Sequence, residues 1–268
     1  MSANLKARLV TAAVGIPLLI LLIGWAEFWV FSGIFFLLMI TALREYFVMV
    51  FPGRSAEQLW GVLFGILIFL TLLLPQISQK ELALSVILVL CFCGYLFLPG
   101  ELDEKLKRLA WTLLGCFYLG LLFPHWVLLF GLPRGRAWVF FVLLVIMVGD
   151  TAAFFAGRRF GSRKLAPELS PGKTIAGAWG YIIGSIIAGV VGKLFFLQEL
   201  GWLEVIAVAV CLSVLGQFGD LFESWIKRAF AVKDSGTLFP GHGGLLDRVD
   251  SLIFPAVFTT AYLRVFHP

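Results

Sequence analysis

The chain has 268 residues, of which 60% are hydrophobic and 14% charged, and its mean hydropathy is +0.98. A soluble domain of this size carries roughly 25% charged residues, so the composition excludes an ordinary water-soluble enzyme and indicates an integral membrane protein. Its 21 Lys and Arg against 16 Asp and Glu leave a formal charge of +5, which suits a surface that meets anionic head groups or nucleotides.

A membrane-spanning helix needs about 20 mostly apolar residues at 1.5 Å rise each. Nine segments meet that description: 9–25, 28–50, 59–75, 82–98, 109–130, 137–157, 177–197, 202–222 and 249–266. They predict an all-α polytopic membrane protein of about nine transmembrane helices, a single domain over 1–268 with no room for a separate soluble unit. Residues 1–136 carry mainly apolar spans suited to packing or dimerisation, and 137–268 carry the polar loops. The basic, apolar start could be a cleavable signal. No clear A-x-A site follows it and the next span begins within a few residues, so it reads as a retained first helix. Cys91, Cys93, Cys116 and Cys211 all lie inside apolar spans and read as small packing residues rather than metal ligands or disulfide partners.

Short loops rich in Lys and Arg stay cytoplasmic. With the N-terminus inside, sixteen of the 21 basic residues fall on the cytoplasmic side and five, Lys80, Arg134, Arg136, Lys193 and Arg264, on the other. This orientation places the 158–176 and 223–248 loops on one face.

Two aspartates lie where charge is costly. Asp150 follows the apolar run VLLVIMVG, and Asp220 sits in VLGQFGDLFES. A carboxylate at membrane depth costs several kcal/mol unless it faces water or a partner. Asp150 could simply cap a helix end and pair with Arg158 or Arg159. From Asp220 the chain should continue as a helix, so Asp220, Glu223, Ser224 and Lys227 share one face. Glu223 and Lys227 alone could be a routine surface pair, but Asp220 lies deeper on the same stripe, which then looks like the wall of a cleft.

The stretch SWIKRAFAVKDSGTLFPGHGGLLDRVD, Ser224 to Asp250, then turns at Gly236 and at Pro240-Gly241. Glycines let backbone N–H groups approach a ligand, and consecutive N–H groups form anion nests. Lys227, Arg228, Lys233 and Arg248 supply positive charge, while Asp234, Asp247 and Asp250 supply hard oxygen donors. Together these suit a phosphate–magnesium complex. The other loop holds Ser170-Pro171-Gly172-Lys173-Thr174, whose end suggests a phosphate-binding P-loop. That motif needs glycine where Pro167 stands, after a strand that is not expected, so a basic turn entering a helix is the better reading.

The order S-x-x-K-R-x-x-x-x-K-D-x-G-x-x-x-P-G-H-G-G-x-x-D-R-x-D resembles the signature of the phosphatidate cytidylyltransferases, also called CDP-diacylglycerol synthases. It is carried by Ser224, Lys227, Arg228, Lys233, Asp234, Gly236, Pro240, Gly241, His242, Gly243, Gly244, Asp247, Arg248 and Asp250. The similarity extends to Gly219-Asp220, to Ser170-Pro171-x-Lys173-Thr174 and to the Asp150 and Gly157-Arg158 region, roughly the last 120 residues. Where the family often has Glu or Gln after the Lys-Thr pair, this chain has Ala176.

The resemblance implies a nucleotidyltransferase of phospholipid biosynthesis in which CTP and phosphatidate give CDP-diacylglycerol and pyrophosphate. It implies a multi-pass protein of the inner membrane with its N-terminus and active site toward the cytoplasm, a homodimer, and lipid but no nucleic acid as partner. It also implies Mg2+, with a second cation such as K+ as an option, held by aspartates matching Asp220 and Asp247, with Asp150 a further candidate. The remaining roles are hypotheses. Lys227, Arg228, Lys233 and Arg248 would contact phosphates, beside Asp234 and Asp250. His242 would donate to a phosphate oxygen or assist the leaving group. Ser170, Lys173, Thr174, Ser224, Gly241, Gly243 and Gly244 would shape the substrate pocket. Two rivals remain: a CTP-using lipid kinase, which would release CDP instead of pyrophosphate, and a transporter, whose usual internal repeat is not evident here.

Overall fold

The computed structural model describes residue 15 and residues 17–238 and 243–267. Among these it is helical almost throughout, as lipid requires of a chain whose backbone polar groups must be satisfied internally. A first helix, α1, covers 17–25. The following helices are α2 (Phe28–Val50), α3 (Ser55–Leu73), α4 (Lys80–Leu96) and α5 (Leu102–Gly115), which continues through a π-helical turn (Cys116–Leu121). Then come α6 (His125–Phe130), α7 (Gly135–Phe160), α8 (Ile175–Phe195), α9 (Trp202–Ala229) and α10 (Leu246–Phe266).

Seven units among the described residues are long and apolar enough to cross a membrane: α2, α3, Leu102–Phe130, α7, α8, α9 and α10. They correspond to seven of the nine expected spans. The expected 82–98 span is present as α4, whose 17 residues fall short of that length. The expected 9–25 span begins outside the described residues. Large apolar side chains such as Trp29, Phe97, Phe155, Trp179 and Leu203 stay more than half exposed, as expected for surfaces that face lipid tails.

The loop between α7 and α8 was expected to be only a basic turn. It is a short antiparallel ribbon, β1 (Lys164–Ala166) with β2 (Ser170–Thr174), pairing Lys164 with Thr174 and Ala166 with Ser170 across a register irregularity. A strand therefore does precede position 167. The Gly-Lys-Thr sequence nonetheless lies inside β2 rather than in a loop between strand and helix, so the rejection of a P-loop stands. Thr174 ends the ribbon and caps α8, its Oγ1 accepting the Gly177 N–H at 3.0 Å.

Small residues set the approach of the last four helices. A Cβ at Gly180 or Gly184 would collide with Ala156 or Ala152 of α7, so α7 and α8 meet nearly backbone to backbone. Gly219 does the same between α9 and α10, where a Cβ would strike the carbonyl oxygen of Asp250. The residue before Asp220 thus brings its helix against the one that carries Asp250. The N-terminal helices join this group through aromatic contacts. Tyr118 of the π turn packs edge-on against Phe222 at 5.0 Å and Phe254 at 6.1 Å, and Trp111 of α5 meets Phe230, just past the end of α9, edge-on at 4.7 Å.

Candidate active site

The polar stripe on α9 exists as expected. At its membrane-ward end the Asp220 carboxylate pairs with Lys173 Nζ of β2 at 2.7 Å. This contact ties the two loops predicted to share a face. One turn on, Glu223 is fully buried and ion-pairs with Lys227. That pair is no surface feature. Its ammonium also donates to Asp247 Oδ1 at 2.6 Å, so a single Lys bridges carboxylates of α9 and α10. Leaving either acid without that cation would strand a buried charge.

Asp247 is the hub of the following loop. Its Oδ2 accepts from the Ser235 N–H at 2.9 Å, the Ser235 Oγ at 3.0 Å and the Gly244 N–H at 2.8 Å. The Gly244 N–H, which the sequence offered as part of an anion nest for a ligand, instead serves the protein's own carboxylate. Gly243 adopts φ +80°, a left-handed backbone that glycine enters without steric cost. Arg228 also has a bracing role. Its Nε donates to the Leu169 carbonyl and one terminal nitrogen to the Val232 carbonyl, both at 3.2 Å, which pins the ribbon to the start of the signature loop. Pro240, Gly241 and His242 lie outside the described residues, and so do the roles expected of them.

These elements surround two adjoining cavities. One, of ≈ 500 Å³, is polar. Asp150, Ser170, Asp220, Ser224, Lys227, Arg228, Lys233, Asp234, Asp247, Arg248 and Asp250 all line it, and among the described residues Ser251 is the one lining residue the sequence had not singled out. The other, of ≈ 680 Å³, lies between α7, α8 and the ribbon. It mixes Arg158, Lys164, Lys173 and Thr174 with apolar Ala153, Phe154, Leu165 and Ala178, and Tyr181 and Gln217 lie at its wall. Asp150 and Asp220 belong to both cavities. Arg158, the expected partner of Asp150, is thus a lining residue of the second space.

Among the described residues no group of three or more His, Cys, Asp or Glu side chains could hold a metal ion by itself. Mg2+ does not need such a cage, because it keeps several waters and takes one or two carboxylates plus substrate phosphate oxygens. Asp150, Asp220 and Asp250, on three different helices and facing the polar cavity, are hard oxygen donors of the right kind. Asp247 is more fully engaged, since Lys227 and the loop donors already occupy both its oxygens.

Three participants escaped the sequence reading. Glu45 of α2 accepts the Leu245 and Leu246 N–H groups at 2.8 and 2.9 Å. Ser235 links Glu45 to Asp247, and Tyr181 borders the second cavity. Ser235 falls at an unspecified position of the quoted motif, Tyr181 and Glu45 lie outside it, and Glu45 lies about 200 residues from its partners.

The sequence also matches a known family. The Cytidylyltransferase family model matches residues 6–266, so the similarity extends well beyond the C-terminal stretch that first suggested it. The chain belongs to the Cytidylyltransferase family. Its relatives include three proteins named phosphatidate cytidylyltransferase. That of Brucella suis biovar 1 is 34% identical over 267 residues, covering 98% of this chain and 95% of the relative. That of Bacillus subtilis (strain 168) is 34% identical over 215 residues, covering 76% and 78%. That of Staphylococcus haemolyticus is 33% identical over 261 residues, covering 93% and 95%.

Proposed function

We propose that the chain is a phosphatidate cytidylyltransferase, transferring CMP from CTP to phosphatidate with release of pyrophosphate. One observation carries the residue-level reading: Asp150 and Asp220 form a shared wall between a polar cavity and an amphipathic one. A reaction between a water-soluble nucleotide and a lipid phosphate needs two such spaces with a common boundary. The polar side, with Lys227, Arg228, Lys233 and Arg248, suits the triphosphate. The other side, with Arg158, Lys164 and Lys173 beside Phe154 and Leu165, suits a phosphate whose acyl chains remain in the bilayer.

A phosphate monoester has a second pKa of about 6, so the lipid phosphate is largely dianionic at neutral pH and needs no strong base. Its oxygen attacks the α-phosphorus of CTP, and the bond from that phosphorus to the bridging oxygen of pyrophosphate breaks. The obstacle is the approach of two polyanions and the charge that develops on the leaving group. Catalysis is therefore positioning and electrostatics. The basic side chains align and neutralise phosphates, and the close packing at Gly219 holds Asp220 beside Asp250. Asp220 and Asp150 would hold Mg2+, with Asp250 beside them, while Asp247, whose oxygens serve Lys227 and the loop, would hold the segment around the ion. When bound, the ion supplies positive charge at the α-phosphate and at the leaving oxygens. The loop-bearing end of the helices faces the cytoplasm in the bacterial inner membrane, where the sixteen-to-five distribution of basic residues supports the orientation. A homodimer is part of the proposal, by family resemblance.

The test is incubation of purified protein with phosphatidate, radiolabelled CTP and Mg2+, with and without chelator. The expected result is labelled CDP-diacylglycerol and an equal amount of pyrophosphate, both abolished by chelator. Release of CDP would assign the protein to lipid-kinase chemistry instead, and chelator-resistant turnover would remove the metal.

A further inference from the structure

Glu45 belongs to α2, in the half of the chain that the sequence assigned to packing or dimerisation. Its carboxylate nevertheless reaches the start of α10. Oε1 accepts the Leu245 N–H at 2.8 Å, Oε2 accepts the Leu246 N–H at 2.9 Å, and Oε2 also lies 3.2 Å from Ser235 Oγ. The first N–H groups of a helix have no partner within it and carry partial positive charge. Here they are satisfied by a carboxylate from a remote helix. Ser235 Oγ, with one proton to give, faces Glu45 Oε2 and Asp247 Oδ2. The two acids therefore share Ser235 and bond successive N–H groups of one short segment, Gly244 to Leu246. The fit is close: a Cβ added at Gly244 or Gly236 would run into the Glu45 carboxylate.

We propose that Glu45 is a positioning residue for cytidylyl transfer, a clamp through which the N-terminal helices fix the segment that carries Lys233, Asp234 and Asp247 into the polar cavity. Two features separate this from a purely structural role. First, α2 does not depend on the carboxylate for its seat, because Ala42, Leu43, Tyr46 and Phe47 are all fully buried around it. Second, the Glu45 partners all lie in 235–246, and Glu45 stands behind the lining of the polar cavity rather than in it. Loss of the carboxylate frees the loop and leaves the helix. The inference rests on the reading of that cavity as the nucleotide side. Among the described residues, the amphipathic cavity contains none of the 233–247 segment, so the effect should fall on CTP and spare the lipid.

The test uses full-length protein in detergent with Glu45→Ala and the near-isosteric Glu45→Gln. Steady-state kinetics for each substrate are paired with thermal unfolding. Glu45→Ala should lower kcat/KM for CTP roughly 10- to 100-fold, the scale of a catalytic group moved by about 1 Å. The KM for phosphatidate and the unfolding midpoint should stay near those of the parent. Glu45→Gln, which keeps one acceptor oxygen, should fall between. Unchanged kcat/KM for CTP in Glu45→Ala overturns the clamp, and so does a loss seen only as lower yield and melting temperature. If the Ala variant does not fold, Glu45→Gln decides by the same CTP-against-lipid split. Lys233→Ala separates the two levels: if it is fully active, the cavity assignment fails. If it is impaired while the Glu45 variants behave as the parent, only the clamp falls.

Discussion

Helices α9 and α10 are fastened by charged groups at both ends, and the two fastenings differ. At the Trp202 end, Glu204 accepts the Gly201 N–H at 3.1 Å, accepts the Tyr262 hydroxyl and lies 2.9 Å from His267 Nε2. Nearby, Arg134 pairs with Glu199 and donates to the Phe196 carbonyl at 2.7 Å. Each group there meets its partner locally. At the Ala229 end, Lys227 bridges Glu223 and Asp247, but Asp150, Asp220, Asp250, Arg228, Lys233 and Arg248 also face a common polar space. Charge near the membrane boundary is thus not enough to mark a site. A cavity of ≈ 420 Å³ lies at the Trp202 end too, where Arg134, Glu199, Arg264 and His267 stand among Leu132, Trp138 and Leu263; what sets the Ala229 end apart is that, among the described residues, five aspartates and four bases gather around one polar space.

The strongest challenge to that distinction is Asp220→Asn. The substitution keeps the size of the side chain while removing the charge that pairs with Lys173 and that both cavities share. CDP-diacylglycerol formation should fall on the order of 10²- to 10³-fold, as when a preorganised electrostatic group is lost. The unfolding midpoint should fall only modestly, because the amide keeps an oxygen that can accept from the buried Lys173 ammonium. Near-parental turnover would show that the seam between the cavities is not where reaction occurs.

A second variant tests whether fastening and chemistry are joined at this end. Lys227→Met leaves Glu223 and Asp247, whose side chains are 1% and 7% exposed, without their shared cation. Breaking a buried pair in this way costs about 3–5 kcal/mol, so thermal unfolding should shift clearly downward along with turnover. Adding Glu223→Gln should recover part of the stability and none of the activity. Full recovery of activity in the double variant would show that Lys227 only fastens the helices.

Much of this end was legible because membrane burial makes polar residues conspicuous. Asp150, Asp220 and the 224–250 motif stand out in an apolar chain, and all the described charged members of the motif do reach one cavity. Long apolar runs also located the spans, since lipid-facing helices need no alternation of polarity. The misses have physical causes. The Leu102–Phe130 unit begins earlier than hydropathy suggested because its first turns carry Asp103, Glu104, Lys105, Lys107 and Arg108. The β1–β2 ribbon is too short to leave a period-two pattern. Glu223 and Lys227 have the spacing of a solvated helix pair, and nothing in that spacing tells that Asp247 of α10 meets them and that Glu223 is buried. Glu45 was invisible for a related reason: a lone acid in α2 says nothing of backbone donors on a helix that arrives 200 residues later.

Glu204→Gln is the matching change at the opposite end, and its effect should be the smallest. Glu204 is a helix-capping acid with its side chain 34% exposed, close to the exposure of Asp220, so the two substitutions compare like surfaces. The amide keeps one acceptor oxygen for the Gly201 N–H or the Tyr262 hydroxyl. The loss should therefore be at most about 1 kcal/mol of stability, the upper range for an exposed pair. Because Glu204 lies at the far end of α9 from the cavity, kcat and both KM values should match the parent. A large drop in turnover from Glu204→Gln would mean that the two ends of α9 are coupled through the helix pair, and that a satisfied fastening can govern the site as strongly as the charges that line it.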